Sequence, residues 1–418
     1  MAPLNRPQPD VGHVGGATDD GDGSGLSFPL LLVLAMAVGP YLQLGLTAIA
    51  PVLREELGLS RTEVGALPAV LSMVACLTAW SWGRWIDRAS AGRVATALFV
   101  ASTAGFVVAA LAPGFVWLLP AVMLAGVAMG GSNPVTNDLI MSRYAVGRRG
   151  VIMGIKQSGV NVGILLAGLV LPLAAAAGRW REALLVSAVL PLGGLLLVWR
   201  PWGTGGAPSA QQVADVAGSP PSPRMPDEVR DPLRLLLAYT GIMGAAVSSG
   251  STYAPLFAFE SLDIGTGAAG LVTAVLGGVG VVARLSWGRV ADRHTDPRRL
   301  LQVMAFGTAV GGVLVAVLGT ISYPLLLLAL VVYASFSSAW VVVAMLTTTS
   351  AVPSARSGQA TGLVMMLFYA GYMVGPVSFG WLVDTFNTYT PAFGALVMMA
   401  LVATVVPRRM QLRIQEVP

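Results

Sequence analysis

SWGRWIDR occupies residues 81–88, and SWGRVADR occupies residues 286–293. Each copy follows a long apolar stretch, so that the charged letters begin where the hydrophobic ones end. A nearly identical octapeptide after two separate apolar stretches indicates that one architectural unit is used twice. The repeat therefore predicts a chain built from two similar halves.

The composition excludes an ordinary water-soluble domain. Of the 418 residues, 55% are hydrophobic and 11% are charged, whereas a soluble domain carries about 25% charged residues. Apolar stretches of about 20 residues, the length of a helix that crosses a bilayer, recur along the chain. We predict an all-α integral membrane protein with twelve transmembrane helices, at 27–50, 62–83, 93–112, 115–142, 150–176, 181–200, 233–258, 266–287, 299–319, 322–349, 357–383 and 389–407.

One long polar stretch, rich in Pro, Gly, Ser, Ala and Gln, divides the spans six and six. Such a composition is typical of a flexible linker. The first 26 residues are polar and lack the apolar core of a signal peptide. The predicted domains are a disordered cytoplasmic tail (1–26), an N-terminal six-helix bundle (27–200), a cytoplasmic linker (201–232), a C-terminal six-helix bundle (233–407) and a cytoplasmic tail (408–418).

The arginines predict the orientation of the chain. With the N-terminus inside, nineteen arginines fall in inner segments and four fall in outer segments. Inner loops of membrane proteins are enriched in Arg and Lys. Both termini are therefore predicted to be cytoplasmic, and the net charge of +5 requires no nucleic-acid partner.

Glycines recur at matching positions in the fifth and eleventh spans. The two sets are separated by the same 212 residues at every position. Small residues at such spacings allow helices to approach closely in lipid, so we predict a helix-packing role for both sets. They are Gly150, Gly159, Gly163 and Gly168 in the fifth span and Gly362, Gly371, Gly375 and Gly380 in the eleventh.

Twelve spans, a central linker and Gly-x-x-x-Asp-Arg after the second and eighth spans resemble the major facilitator superfamily (MFS). The first copy departs from the family pattern at Ser90 and Gly92. The resemblance implies a secondary transporter in which Asp87 faces the start of the eleventh span and Asp292 faces the start of the fifth, closing the inner side. The residues of this gating motif are Gly83, Asp87, Arg88 and Arg93 in the first copy and Gly288, Asp292 and Arg293 in the second.

The family's antiporter motif has a Gly-Pro pair in the middle of the fifth span. Ile164 stands at the proline position here, whereas Gly375-Pro376 occurs in the eleventh span. The missing proline in the fifth span weakens the case for an exporter.

Lys156 is the only lysine of the chain and lies inside the fifth span beside Gln157. Ionisable groups inside lipid are costly, so each is a functional candidate. Asp138 and Lys156 each lie nine residues from Gly147, where the hairpin of spans four and five turns, and helical rise puts them at a similar depth. We predict a Lys156–Asp138 pair assisted by Asn133 and Asn137. Either the pair is permanent and structural, or it is switchable by an anionic substrate or a proton.

The other candidates are polar or aromatic side chains near the middle of the spans. Arg284 lies one turn before Gly288, close enough to the inner surface to extend towards it, which favours a gating or packing role over substrate binding. The remaining side chains are predicted to line a central cavity: Tyr41, Gln43, Ser248, Ser249, Tyr253, Trp340, Tyr369 and Tyr372.

These residues predict a secondary transporter that moves a small anionic or neutral organic solute, with carboxylates included, by proton-coupled alternating access. Asp138 is the only acid in the middle of a span, whereas an exporter of cations is expected to carry a deep acid. The alternative is a proton-antiport efflux pump for drugs or toxic metabolites. We expect a monomer that is surrounded by lipid in a bacterial cytoplasmic (inner) membrane.

The sequence lacks the motifs that are typical of other classes of protein. The sequence contains no nucleophile with a base, and no G-x-x-x-x-G-K motif of an ATP-driven pump. Cys76, His13 and His294 are the only cysteine and histidines, which excludes an internal disulfide and gives no metal cluster. We therefore predict neither an enzyme nor a cofactor. A sensor that kept a transporter scaffold would be expected to carry larger soluble domains.

Overall fold

The computed structural model describes residues 26–86, 89–143, 146–199, 227–293, 296–351 and 357–410. Within these residues, 12 helices are long and apolar enough to cross a membrane. Each coincides with a predicted span to within a few residues; the first, for example, is Ser27–Ala48. The predicted number of spans is therefore confirmed for the described chain.

The helices are numbered in chain order. Some spans consist of one continuous helix, and others are broken into two. The first half contains α1 (Ser27–Ala48), α2 (Ala50–Leu57), α3 (Arg61–Ile86), α4 (Ala91–Leu111), α5 (Phe115–Arg143), α6 (Val146–Ala176), α7 (Trp180–Ser187) and α8 (Val189–Val198). The second half contains α9 (Asp227–Leu262), α10 (Thr266–Arg293), α11 (Pro297–Leu318), α12 (Tyr323–Ser337), α13 (Trp340–Ala351), α14 (Ser357–Phe386), α15 (Thr390–Val405) and a 3₁₀ turn (Val406–Arg409).

Local sequence explains several helix ends. Ser60 and Glu63 form a reciprocal capping box: the Ser60 backbone N–H donates to Glu63 Oε2 at 2.8 Å, and the Glu63 N–H donates to Ser60 Oγ at 3.1 Å. Gly58, with a left-handed φ of 68°, ends α2. At the start of α11, the Asp296 carboxylate accepts the Arg298 N–H, which satisfies a donor that the helix leaves free.

The structure differs from the prediction in three places. The sixth span is broken between α7 and α8, and the tenth between α12 and α13. Helix α9 begins at Asp227, so the end of the predicted linker is helical; acidic residues such as Asp227 and Glu228 favour a helix N-terminus. The rest of the linker and both predicted tails, apart from Leu26 and residues 408–410, lie outside the described residues.

The duplicated glycines make equivalent contacts in the two halves. Gly159 and Gly163 of α6 lie directly on the backbone of α1, and Gly371 and Gly375 of α14 lie on the backbone of α9. In each of the four cases an added methyl group would overlap a backbone carbonyl oxygen of the neighbouring helix. The glycine spacing thus corresponds to the same helix contact in both bundles.

Two helix pairs join the halves. Helix α6 packs against α10, which we call the first seam, and α3 packs against α14, which we call the second seam. On one face of the protein both seams are tight, because Gly168 lies on Ala274 of α10 and Gly380 lies on Arg61 of α3. We call this side the latch face.

Towards the opposite face the seams part. A methyl group added at Gly154, Gly288 or Gly362 would have no atom of another element within 4 Å. Gly362, which we predicted to pack helices, therefore has no close neighbour among the described residues, and the same holds for Gly288 of the gating motif. Among the described residues, the seams are therefore tight at the latch face, whereas these three glycines nearer the opposite face have no close neighbour.

We expect Gly163→Ala to destabilise the protein, since its methyl group would meet the carbonyl oxygen of Ala37. Overpacking of this kind costs about 1–3 kcal/mol, and the backbone atoms of α1 cannot rotate away as a side chain can. Thermal unfolding in detergent measures the effect. Gly394→Ala is the control, because Gly394 has open space around it, and a melting temperature for Gly163→Ala equal to that of the control would contradict the packing.

Candidate functional site

Lys156 is buried at the contact between α5 and α6, with 1% of its surface exposed. Its ammonium group donates hydrogen bonds to Thr136 Oγ1 at 3.0 Å, to Asn133 Oδ1 at 3.4 Å and to Asn137 Oδ1. All three acceptors are neutral. The charge is thus solvated by amide and hydroxyl oxygens rather than by a carboxylate.

The predicted pair between Lys156 and Asp138 is not formed. The hairpin geometry gave the correct depth, but positions 133, 136 and 137 share one face of α5, as residues three and four apart do in a helix. Asp138 lies about 100° further round that helix, and no ion pair joins it to Lys156 among the described residues. Helical periodicity in the sequence carried this signal, and it also identifies Thr136, which the depth argument missed.

Arg284 of α10 reaches across the first seam. Its Nε donates to the Ser338 carbonyl oxygen at 3.2 Å, and its Nη1 donates to the Gln157 carbonyl oxygen at 3.3 Å. Ser338 is free to accept because it lies in the break between α12 and α13. Tyr372 of α14 lies within electrostatic reach of the guanidinium. Arg284 therefore joins the two halves, and its partner in the first half, Gln157, directly follows Lys156 in the sequence.

Neither of these two cations has a carboxylate within salt-bridge distance in the described part of the chain. A charge taken out of water without an opposite charge is costly. Arg284 is half-buried and keeps its Nη2 donors in addition to the bonds above. A guanidinium at the first seam, which bonds to the residue next to a buried ammonium on α6, is suited chemically to an anion.

Several predicted cavity residues have local partners instead. Tyr41 shares a hydrogen bond of 2.6 Å with Ser187 of α7 inside the first half. Ser248 and Ser249 both donate to the Ala245 carbonyl oxygen of their own helix. These contacts are packing contacts, and they leave the three side chains away from Lys156 and Arg284.

The other residues that we predicted to line a cavity are packed against Phe368 of α14 or are buried elsewhere. Tyr372 is half-buried and stacks near Phe368, with ring centroids 4.4 Å apart. Trp340 lies 5.8 Å from the same phenylalanine ring. Gln43, Trp340 and Tyr369 are all buried, and Pro376 presents its carbonyl oxygen to Gly65 of the second seam.

Part of the gating motif falls outside the described structure. Asp87 and Arg88 lie outside the described residues, and so do the side chains of Asp292 and Arg293 and the surroundings of Gly83 and Gly150. Arg93 is exposed on α4. The contacts that the family resemblance implies for the two aspartates therefore stay predictions.

The latch face carries a network of charges that connects the halves. Glu260 of α9 accepts hydrogen bonds from Arg54 of α2 and from Arg61 Nε and Nη2 of α3, the latter at 3.1 and 3.0 Å. Arg61 also lies 3.6 Å from Asp384 of α14. Burial, and then the neighbouring charge of Arg61, lower the pKa of Arg54. The Glu260 carboxylate lies between the two guanidinium groups and offsets their mutual repulsion.

Two further contacts extend this network. Asp384 accepts the Thr62 backbone N–H at 2.8 Å and the Thr62 hydroxyl at 2.6 Å, which places a negative charge at the N-terminus of α3. The Tyr389 hydroxyl donates to Glu260 at 2.8 Å, and the Tyr253 hydroxyl donates to the Arg61 carbonyl oxygen. We call the cluster of Arg54, Arg61, Thr62, Tyr253, Glu260, Asp384 and Tyr389 the latch. Sequence reasoning missed it, apart from assigning Tyr253 to a central cavity, because its members come from distant segments.

Comparison with known proteins now identifies the fold. A family model described as Major Facilitator Superfamily matches residues 30–376. The solved structure of a D-xylose-proton symporter has a TM-score of 0.75 with 17% identity, over 92% of this chain and 97% of that chain. The predicted fold class is thereby confirmed.

Two curated relatives are similar in sequence. Monocarboxylate transporter 12 of Rattus norvegicus is 26% identical over 286 residues, which are 61% of this chain and 58% of the rat protein. A gallate transporter of Pseudomonas putida is 27% identical over 155 residues, which are 36% of this chain and 34% of that protein. The match therefore spans less than two thirds of either relative.

The family consists of transporters rather than enzymes, and together with the 12 apolar helices it indicates a multi-pass integral membrane protein. The matched residues include both copies of the repeat, the helices of the first seam and Gly288, but only part of α14 in the second seam. This chain belongs to the Major Facilitator Superfamily.

Proposed function

We propose that the chain is a secondary active transporter of a small organic anion, with carboxylates as the favoured class. It works as a monomer by alternating access and is coupled to protons. We further propose that it lies in a bacterial cytoplasmic membrane with both termini in the cytoplasm, so that the latch face is outside. Two relatives are a monocarboxylate transporter and a gallate transporter, which supports the choice of a carboxylate.

One observation carries the proposal: Lys156, buried on α6, and Arg284, which bonds to the next residue of α6, both lack a carboxylate partner in the described residues. A bound carboxylate supplies the missing negative charge, and its two oxygens match the donors of a guanidinium group. The side chain of Gln157 is exposed beside them and adds a neutral donor. The site is thus electrostatically suited to an anion and unsuited to an organic cation.

The asymmetry of the seams supports alternating access. The latch joins the halves at the face that we propose to be outer, whereas three seam glycines nearer the other face have no described neighbour within 4 Å. A substrate at Arg284 contacts both halves, because that residue bonds to Gln157 of the first half and to Ser338 of the second. Rocking of the halves about such a site exposes it to one side at a time.

We expect Arg284→Gln to raise the KM for carboxylate uptake about tenfold or more, because a hydrogen bond to a charged group contributes about 1.5–3 kcal/mol and 1.4 kcal/mol corresponds to a factor of ten. Uptake of labelled carboxylates by proteoliposomes measures KM and kcat separately.

Arg289→Gln is the matched control. Arg289 lies on the same helix but is exposed and donates only to the Leu285 carbonyl oxygen of its own helix, so its KM is expected to stay at the wild-type value. Equal kinetics for both variants would remove Arg284 from the substrate site.

A further inference from the structure

Asn161 is a buried amide with an unused donor. Only 2% of the residue is exposed, and its Nδ2 has no hydrogen-bond partner. Leaving a buried donor unpaired costs about 1–3 kcal/mol, and such groups are rare enough to require an explanation. One explanation is a partner that is bound only during function.

The surroundings of Asn161 connect it with the anion site. It lies one turn after Gln157 on α6, and Gly280 lies one turn before Arg284 on α10. A methyl group added at Gly280 would lie 2.9 Å from Asn161 Oδ1 and 3.0 Å from Ser338 Oγ. Asn161, Gly280 and Ser338 thus form a second polar level in the first seam, about 5.4 Å from the level of Arg284.

This second level lies where the seam changes from open to tight. Towards the latch face, Gly277 lies directly on Leu165 and Gly168 on Ala274. Towards the opposite face, Gly288 has no neighbour within 4 Å. Asn161 therefore lies at the border between the tight part of the first seam and the level of Arg284.

We propose that Asn161 is a specificity-determining residue, which donates a hydrogen bond to a second oxygen on C2 or C3 of the carboxylate substrate. The inference rests on the proposed function, since it requires the carboxylate to lie at Lys156 and Arg284. A carboxylate and a hydroxyl or carbonyl oxygen on a nearby carbon span less than one helical turn, and hydrogen bonds at both ends cover the remaining distance. Gly280 has no side chain, and any larger residue there would crowd the Asn161 amide.

The chemistry predicts strong discrimination. A site with a buried donor rejects an analogue that lacks the matching acceptor, because the donor is left unpaired. Proteoliposome uptake of a labelled carboxylate, inhibited by butanoate, 2-hydroxybutanoate or 3-hydroxybutanoate, measures the preference. We expect one hydroxy acid to inhibit about tenfold or more strongly than butanoate in the wild type, and Asn161→Leu to bring this ratio to about one while the inhibition constant of butanoate is unchanged.

Thr273→Val is the matched control. Thr273 is also buried in the first seam with an unpaired hydroxyl, but it lies in the tight part beside Gly168. Its variant is expected to keep the wild-type ratio.

Gly280→Ala is a second test, should Asn161→Leu not fold, because its methyl group occupies the space beside the Asn161 amide and is expected to lower the same ratio.

Three results would overturn the inference: equal inhibition by all three acids in the wild type, an unchanged ratio in Asn161→Leu and Gly280→Ala, or equal weakening of all three acids in these variants. Each of them leaves carboxylate transport itself intact. Absence of transport and inhibition by any carboxylate, with folded protein, is a different outcome, which contradicts the proposed function as well.

Discussion

Replacing Lys156 by methionine is expected to lower kcat/KM for carboxylate uptake by about 10- to 100-fold, because a hydrogen bond to a charged group contributes about 1.5–3 kcal/mol. Methionine fills a similar volume but removes the positive charge that attracts the anion. Lys156→Arg keeps the charge in a larger side chain and is expected to retain measurable uptake. Initial rates in proteoliposomes measure both.

Thr136→Val is the control for this prediction. It removes one of the three acceptors of the ammonium group and leaves the charge in place, so a small loss of uptake is expected. Melting temperatures of all variants separate loss of transport from loss of fold. Full activity of Lys156→Met would remove Lys156 from the mechanism and would assign it to the structure of the α5–α6 hairpin.

Because Lys156 is the only lysine, its amine also has a direct chemical readout. Because this amine is buried in the present conformation, an amine-reactive reagent modifies this single internal site only when the protein opens around it, and mass spectrometry identifies the modified peptide. A bound carboxylate is expected to slow this modification if it lies against Lys156.

Opening the latch is expected to have the second large effect. Glu260→Gln removes the charge that accepts hydrogen bonds from Arg54, Arg61 and Tyr389. A charge-assisted hydrogen bond contributes about 1.5–3 kcal/mol, and 1.4 kcal/mol changes a population ratio tenfold. We therefore expect the ratio of outward-open to outward-closed molecules to rise about tenfold or more.

Spin labels across the second seam measure this shift. Glu55 and Thr385 are exposed at the latch face in the first and second halves, and cysteines there, with Cys76 replaced by serine, provide a label pair. Pulsed dipolar distances are expected to gain a longer component in Glu260→Gln.

Glu56→Gln provides the matched control for the latch. Glu56 accepts from Trp180 Nε1 at 2.8 Å and from Arg181 Nη1 at 3.0 Å, and all three residues belong to the first half. Its loss is expected to leave the distance distribution unchanged. The same lengthening in both variants, or in neither, would contradict a gating role of Glu260.

The sequence was sufficient for the elements that depend on local signals. A run of about 20 apolar residues is enough to predict a crossing helix, and the matched octapeptides and glycines predicted two similar halves. The glycine pattern also anticipated which contacts are equivalent, since Gly163 and Gly375 lie on the corresponding helix of each half.

The candidate site was predictable only in part. Lys156 was identified because an ionisable group is unusual inside an apolar span, but its partners required the helix face as well as its depth. Arg284 was predicted to serve a gate or packing, whereas its contacts with Gln157 and Ser338 depend on a break in the tenth span. No local signal in the sequence pairs Glu260 with Arg61, because 199 residues separate them and only the folded halves bring them together.

The most direct test of anion transport at Lys156 and Arg284 is uptake of a labelled carboxylate into proteoliposomes, with a proton gradient imposed in each direction. We predict saturable uptake that is faster with the gradient directed along the substrate flux and is strongly reduced in Lys156→Met. Failure of every carboxylate to accumulate under either gradient, together with proton-driven expulsion of organic cations, would contradict this prediction.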